Sequence, residues 1–315
     1  ESATPAVRLY SALAKQGVLV ALVLLILFGA LRYENFLGAY NVLTVLRYNA
    51  MFALIALGMC YVIMTGGIDL SVGSTAALGS VVAALLSPYG LLAGLLGGMA
   101  AGLAVGAVNG LLVTRLAILP FIATLATMLA ASGTALLLAG NQSVSVDWGT
   151  SFVDVGQGDL LGFPIPAWIA GCAYLAGSLV LNLTAFGRHV LATGGGEDAS
   201  RLMGLPVERT KFLVYALSGT LAGLAGVILA AQFGAGQPTE GLGWELFAIA
   251  SVVVGGTLLT GGVGSVGATL AGVLLLGLIF NILNFENGMG WISLSAYWQS
   301  VIRGGFLLLV VILQS

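Results

Sequence analysis

An aspartate stands in a glycine-rich tract between two apolar stretches, where residues 65–74 read TGGIDLSVGS. At the centre of a continuous membrane helix an acid such as Asp69 costs roughly 2.5–3.5 kcal/mol. The cost falls where the helix breaks and the irregular backbone is buried in protein or lines a wet cavity. Gly66 and Gly67 can end one helix, and Asp69 or Ser71 can cap the next by accepting bonds from its free N–H groups. Three roles remain open for the acid: a cap, a contact with a solute, or a proton relay.

Further polar side chains lie in or near long apolar stretches. Neutral hydrogen-bonding groups suit a path for an uncharged polyhydroxyl solute, but they also join membrane helices at about 0.6 kcal/mol each. The residue types leave both roles open. With Asp69, the candidates for a solute pathway are Asn49, Ser71, Thr124, Thr127, Gln232, Glu245 and Asn281. Glu245 stands beside Trp244 at the expected outer start of a helix, which favours an interfacial cap.

The sequence contains little that could catalyse a reaction. His189 is the single histidine, so a histidine-based metal cluster is excluded, and it falls in a loop outside the apolar stretches. A nucleotide-binding loop has the form GxxxxGK[ST], and the only lysines, Lys15 and Lys211, stand in AKQ and TKF. We therefore expect no metal site, no catalytic site and no cofactor on this chain, and ATP and Mg would bind to another polypeptide.

A polar segment at 186–211 reads FGRHVLATGGGEDASRLMGLPVERTK. Its centre has the signals of a short helix over 196–204: a glycine start, acids in the first turn, a later base, a glycine suited to a left-handed cap, and a proline stop. These residues are Gly196, Glu197, Asp198, Arg201, Gly204 and Pro206. Because isolated helices of about 12 to 15 residues are already marginal in water, the membrane bundle or a separate protein must support this one.

The composition places these residues in a membrane protein. Only 7% of the 315 residues are charged, 59% are hydrophobic and the mean hydropathy is +1.08, whereas soluble domains carry roughly 25% charged residues. Spans of roughly 17 to 25 apolar residues cross a bilayer. The stretches predict about ten helices: 16–31, 42–64, 71–87, 90–114, 116–138, 164–184, 212–233, 244–260, 264–285 and 297–313. The fold class is therefore an all-α polytopic membrane bundle with interrupted segments, in one transmembrane domain over 1–315.

The few charges predict the topology, because basic residues favour cytoplasmic loops. Bases precede the first stretch and crowd the 186–211 segment, whereas the outer loop at 141–163 holds Asp147, Asp154 and Asp159 without a Lys or Arg. We expect both termini and the 186–211 segment to be cytoplasmic and 141–163 to be outside. Arg32 and Arg47, near the outer ends of the first two helices, are exceptions to the pattern.

Glycines recur at a strict spacing of four between residues 90 and 110. In soluble helices each costs about 1 kcal/mol relative to alanine, so the stripe needs a compensating gain, and close approach of another helix supplies it. The stripe comprises Gly90, Gly94, Gly98, Gly102, Gly106 and Gly110. Separately, TGGIDLSVG (65–73) and TGGVGSVG (260–267) are alike, and coincidence explains this as readily as an internal repeat.

Several long stretches match a known pattern in the same order along the chain. They are TGGIDLSVGS (65–74), NGLLVTRLAILPFIATLATM (109–128), FGRHVLATGGGEDASRLMGL (186–205), VYALSGTLAGLAG (214–226), QPTEGLGWELFAIASVVVGGTLLTGGVGS (237–265) and YWQSVIRG (297–304). On these residues the chain resembles the permease subunits of bacterial ABC importers of the ribose and other monosaccharide class, which are allied to branched-chain amino acid permeases. In two places it departs from the usual pattern: Gly196 replaces an Asn, and Phe247 stands where an Asp is frequent.

The resemblance implies an ABC importer permease fold in the bacterial inner membrane and a set of partners. These are the lipid bilayer, a cytoplasmic ATP-binding cassette subunit, a periplasmic sugar-binding protein and a second permease chain, without nucleic acid. It also implies that the ATPase docks on Gly195, Glu197, Asp198, Arg201, Leu202 and Gly204. An ion-coupled secondary transporter is the alternative, since broken helices and a buried acid suit it too. The two differ in energy source.

Overall fold

The computed structural model describes residues 17–288 together with 298, 301, 302, 304 and 305. Most of the predicted span 297–313 therefore lies outside the described residues. The described part of the chain forms twelve α-helices. They are α1 Gly17–Arg32, α2 Ala39–Met64, α3 Val72–Leu86, α4 Leu91–Thr114, α5 Pro120–Ala139, α6 Asp154–Gln157, α7 Ile165–Leu183, α8 Ala185–Gly195, α9 Glu197–Leu202, α10 Val207–Phe233, α11 Trp244–Val254 and α12 Val266–Gly288.

Seven of these helices are long and apolar enough to cross a membrane, counted over the described residues. They are α2, α3 with the 3₁₀-helix Ser87–Tyr89 that extends it, α4, α5, α7, α10 and α12. The expected polytopic helical bundle is confirmed, but the count of about ten is too high for the described residues. One reason is that α11 ends at Val254 and not at 260, because the chain turns at Gly255 and at Gly256, whose φ is +84°.

In the part of the chain that the structure describes, four two-residue strands lie at one end of the bundle. The strand Val144–Ser145 (β1) pairs antiparallel with Ala235–Gly236 (β4), and Asp159–Leu160 (β2) pairs with Phe163–Pro164 (β3). We call this the acidic end because it carries the 141–163 loop, and the opposite end, which carries 186–211, the basic end. α7 joins the two, and its 19 residues extend roughly 28 Å at 1.5 Å per residue.

The centre of the bundle is α10, which packs against α2, α3 and α4. Gly102 and Gly106 of α4 lie against Gly219 of α10 so closely that a methyl group on any of them would collide with the facing backbone. The predicted glycine seam is thus present, and its partner is the small-residue face of α10. Gly90 is an exception: it precedes α4 with φ +101° and has nothing within 4 Å of its Cβ position.

Two breaks bring irregular backbone into the bundle. The chain leaves α2 at the basic end, passes through 65–71 and returns as α3. At the other side, residues 234–243 descend from the acidic end, where Gly236 packs on Val81, until Gly241 reaches the backbone of Gly73 at the start of α3. α11 therefore begins inside the bundle. The interrupted segments that the sequence predicted are present.

Candidate functional site

Asp69 lies at the centre of a buried hydrogen-bond network that joins four elements. Its Oδ1 accepts bonds from the backbone N–H and the hydroxyl of Ser71, at 3.0 and 2.6 Å. Its Oδ2 accepts a bond of 2.9 Å from the Ser218 hydroxyl on α10. The amide of Asn109 on α4 donates to the Ser71 hydroxyl at 2.8 Å and, at 3.4 Å, to Asp69 Oδ1. The Asn109 carbonyl oxygen accepts a bond of 2.6 Å from Thr127 on α5.

The network lies within the bundle. Ser218 stands eleven residues along α10, roughly 16 Å from its start. Asp69 is 1% exposed and Asn109 and Thr124 are fully buried, so an unpaired carboxylate here would be costly. Because four donors surround Asp69, the break between α2 and α3 keeps one defined geometry against α4, α5 and α10.

The capping expectation is only partly correct. Asp69 does accept the Ser71 N–H next to the start of α3, but the Ser71 side chain makes no cap hydrogen bond. The Ser71 hydroxyl instead donates to the acid at 2.6 Å. Thr124 donates mainly to the backbone oxygen of Pro120 in its own helix, at 2.8 Å, and reaches the Ile68 oxygen at 3.3 Å.

Three Thr-Gly-Gly tripeptides meet at the basic end, in a group we call the glycine junction: 65–67, 193–195 and 260–262. The N–H of Gly262 donates a bond of 2.9 Å to the Met64 oxygen at the end of α2. Gly194 lies so close to the Met64 oxygen and the Gly262 nitrogen that a side chain there would collide with both. The junction therefore joins the 186–211 segment to the break after α2 and to the loop after α11.

The 186–211 segment contains two short helices, α8 and α9, on this junction. Thr184 caps α8 by accepting a bond from the Gly187 N–H at 3.3 Å. The Ser200 hydroxyl of α9 donates to the Ala192 oxygen of α8 at 2.8 Å. Gly204 has φ +77°, as its predicted left-handed position requires. The bundle itself thus supports the short helix.

The exposed surface of α9, at the basic end, is polar where the helix begins and apolar where it ends. Glu197 pairs with Arg201 at 2.8 Å within α9 and with Lys211 of α10 at 2.9 Å. Asp198 and Gly195 are exposed. Leu202 is 90% exposed and the neighbouring Met203 is 68% exposed. Two large apolar side chains beside paired charges form a small surface that a protein partner can cover.

Two adjoining cavities hold other candidates from the sequence. The first, of about 520 Å³, lies at the acidic end and is lined by Tyr40, Leu43, Thr44, Arg47, Tyr48, Gln157, Asp159 and Gln232. The second, of about 450 Å³, is lined by Thr44, Val45, Tyr48, Asn49, Phe52, Gly243, Trp244, Phe247, Gly277, Phe280, Asn281 and Asn284. Asn281 exchanges two bonds with Asn41, at 2.8 and 3.1 Å, and the Asn49 amide donates to the Val45 oxygen. Six of the candidate pathway residues thus separate into two groups, with Asp69, Ser71 and Thr127 in the buried network and Asn49, Gln232 and Asn281 at these cavities.

The expected place of Glu245 at the outer start of a helix is wrong. Glu245 does lie in the first turn of α11, but α11 begins inside the bundle, and Glu245 Oε2 is 2.9 Å from the Cβ position of Gly73. Glu245 lines a third cavity, of about 270 Å³, with Ser74 and Thr239 among its neighbours. Because residues 234–243 enter the bundle from the acidic end, Glu245 lies away from the membrane–water interface.

Sequence reasoning missed several residues of these sites. Asn109 and Ser218 complete the Asp69 network, and their polar type inside two glycine-rich helices was the available signal. Arg47 was noted only as a charge, yet it contacts the Gln157 oxygen and Asp159 at 3.0 and 2.6 Å. Over the described residues no group of three His, Cys, Asp or Glu side chains converges, so we assign no metal site there.

These features define a multi-pass membrane protein with two broken elements and a short helix pair at one end. Residues 41–311 match the family described as branched-chain amino acid transport system / permease component. The chain belongs to this family.

The chain is similar to named permeases over nearly its whole length. It is 41% identical over 303 residues to the ribose import permease protein RbsC of Bacillus subtilis (strain 168), covering 95% of this chain and 92% of the relative. The identity to RbsC of Escherichia coli (strain K12) is 39% over 309 residues, or 96% and 94% of the two chains. The L-arabinose transport system permease protein AraH of the same strain is 38% identical over 298 residues, or 94% and 89%. No solved structure matches the chain.

Proposed function

We propose that this protein is the permease subunit of an ATP-driven importer that carries a monosaccharide across the bacterial inner membrane. The observation that carries the proposal is the identity of about 40% over nearly the full length to permeases named for ribose and arabinose. In this proposal the acidic end receives the sugar from a periplasmic binding protein. The basic end and both termini face the cytoplasm.

The 186–211 segment is the docking site for a separate ATPase, which binds ATP and Mg. Gly195, Glu197, Asp198, Arg201, Leu202 and Gly204 form its contact surface. The exposure of Leu202 supports this role. The glycine junction supports coupling between the ATPase and the bundle. A displacement of α8 would be transmitted to Met64, to the break at 65–71 and to the loop after α11, because these segments contact one another through backbone atoms without intervening flexible side chains.

A second permease chain completes the transporter in this proposal. Co-purification would show whether this second chain is identical to the first or is an unlike permease. One relative, at 36% identity, is named an L-arabinose ABC transporter permease protein, which favours ATP over an ion gradient as the energy source.

The test is sugar uptake in membrane vesicles that contain this chain, its partner ATPase and the binding protein. We expect uptake of D-ribose or L-arabinose to continue after ionophores collapse the ion gradients and to stop when ATP or the ATPase is removed. Uptake that follows the ion gradient and ignores ATP would establish the secondary transporter instead.

A further inference from the structure

The amide of Gln232 is buried at the edge of the acidic-end cavity. Gln232 stands at the end of α10, where the short helix α6 packs against its backbone at Gly156. Its side-chain nitrogen and oxygen are both shielded from solvent, and neither makes a hydrogen bond to any residue that the structure describes. Buried polar groups are nearly always paired. We therefore read the unpaired Gln232 amide, which lies directly behind the cavity lining, as a group that turns into the cavity when a ligand supplies both bonds.

The surroundings of Gln232 define the kind of ligand. Among the described residues, the charged groups that line this cavity are Arg47 and Asp159, which neutralise each other through their 2.6 Å ion pair. The other polar side chains of the described lining carry hydroxyls and amides. This lining offers a charged solute no unpaired opposite charge, whereas it offers an uncharged polyhydroxyl solute both donors and acceptors.

The neighbouring cavity offers a complementary surface. The two cavities share Thr44 and Tyr48, so they adjoin along α2. In the second one, the Phe52 ring lies 4.8 Å from the Trp244 ring and 4.6 Å from the Phe247 ring. Such rings offer apolar faces to the C–H face of a sugar ring. Volumes of about 520 and 450 Å³ fall within the usual range for small-molecule sites, roughly 300–1,000 Å³.

We infer that the two cavities form a monosaccharide-binding vestibule, in which the Gln232 amide binds two neighbouring hydroxyl groups of the sugar. The amide N–H donates to one hydroxyl oxygen, and the amide oxygen accepts a bond from the adjacent hydroxyl. The aromatic compartment then receives the apolar face of the ring, deeper in the bundle. This inference rests on the proposed function, since it names a substrate site for the proposed transport.

The test is protection of an introduced cysteine in the purified permease, which needs neither ATP nor the binding protein. In a Cys172→Ala background, Tyr40→Cys places a thiol at a position that is 86% exposed and lines the first cavity. Tyr89→Cys is the matched control, because Tyr89 is 79% exposed and does not line either cavity. We expect D-ribose or L-arabinose at high millimolar concentration to slow maleimide labelling of Tyr40→Cys but not of Tyr89→Cys.

Adding Gln232→Leu should abolish this protection, and adding Gln142→Leu, in the exposed outer loop, should leave it intact. Because the Gln232 amide has no protein partner to lose, the leucine variant should unfold at the same temperature as its parent or higher. Gln232→Glu, of similar size, loses the donor and should raise the sugar concentration for half-protection about tenfold. It serves as a second variant if the leucine variant fails to fold.

Protection that is absent with both sugars, or that survives in both Gln232 variants, would overturn the vestibule assignment. Either result combined with ATP-dependent sugar uptake by the wild-type transporter would reject the vestibule and leave the proposed function standing. If the wild-type transporter took up neither sugar while the sugars still protected Tyr40→Cys, the proposed function alone would be rejected.

Discussion

The hydroxyl of Ser218 donates a 2.9 Å hydrogen bond to Oδ2 of Asp69, across a sequence separation of 149 residues. The bond joins the central helix α10 to the break between α2 and α3. With Ser71 and Asn109 it surrounds the acid with donors. A carboxylate inside a membrane bundle is tolerated because this break supplies backbone and side-chain donors that a continuous helix would not.

Replacing Asp69 should separate the need for an acceptor from the need for a charge. Asp69→Asn keeps one oxygen for Ser71, and the Ser218 hydroxyl can turn to accept from the new amide. Asp69→Leu leaves buried donors without partners, each at about 1–3 kcal/mol. We expect a well-folded Asn variant and little folded Leu variant, measured by detergent size-exclusion and thermal unfolding. Equal loss in both would show that the charge itself is required.

Ser218→Ala, which removes the Ser218 hydroxyl, should destabilise the bundle by about 1–2 kcal/mol, because one buried oxygen of Asp69 loses its donor. Thr220→Ala is the matched control, since the one hydrogen bond of the Thr220 hydroxyl among the described residues goes to the Ala216 oxygen of its own helix. Thermal unfolding of the two purified variants compares them. Similar melting temperatures for both would contradict the network.

A methyl group at Gly194 should disrupt the glycine junction, because it would collide with the Met64 oxygen and the Gly262 nitrogen. Gly171→Ala in α7 is the control, as nothing lies within 4 Å of its Cβ position and it is outside the junction. We expect Gly194→Ala to lower the melting temperature or to abolish transport, whereas Gly171→Ala keeps the parent's stability and transport. If both variants unfold and transport alike, the junction has no mechanical role.

Glu197→Gln should weaken association with the ATPase more than it weakens the fold. Glu197 and its partner Arg201 are partly exposed, and such pairs contribute about 0–1 kcal/mol to stability. Losing the carboxylate frees Arg201 and Lys211 and changes the surface that the ATPase would contact. Co-purification of the ATPase and sugar uptake should both fall, while Glu208→Gln, at the exposed start of α10, should change neither. Normal co-purification and uptake in Glu197→Gln would count against the docking surface.

Composition and spacing predicted the helical bundle, the glycine seam and the helix over 196–204, because each depends on local pattern. Helix ends inside the bundle were harder to predict. The apolar run 244–260 resembles a full span, yet the fold lets 234–243 descend beside Gly73, which leaves α11 only 11 residues long and places Glu245 inside the bundle. Packing between residues far apart in the sequence determines the path of 234–243, and the hydrophobic periodicity of the sequence does not indicate that path.

Polar residue types likewise identified most members of the buried network but not their grouping. Asp69, Ser71 and Thr127 meet around Asn109, whereas Asn49 and Gln232 line cavities near the acidic end. The convergence of three Thr-Gly-Gly tripeptides is visible only in three dimensions. One signal was present, in that 193–195 repeats the tripeptide of 65–67 and 260–262.

Site-directed cross-linking tests the central claim that a separate ATPase drives this bundle through α9. In a Cys172→Ala background, Leu202→Cys places a thiol on the exposed apolar tip of α9 and Tyr89→Cys places one at the acidic end. We expect Leu202→Cys to cross-link to the co-expressed ATPase in membranes that transport sugar, and Tyr89→Cys to remain uncross-linked. A transporting complex in which Leu202→Cys never reaches the ATPase, or in which Tyr89→Cys does, would contradict the account.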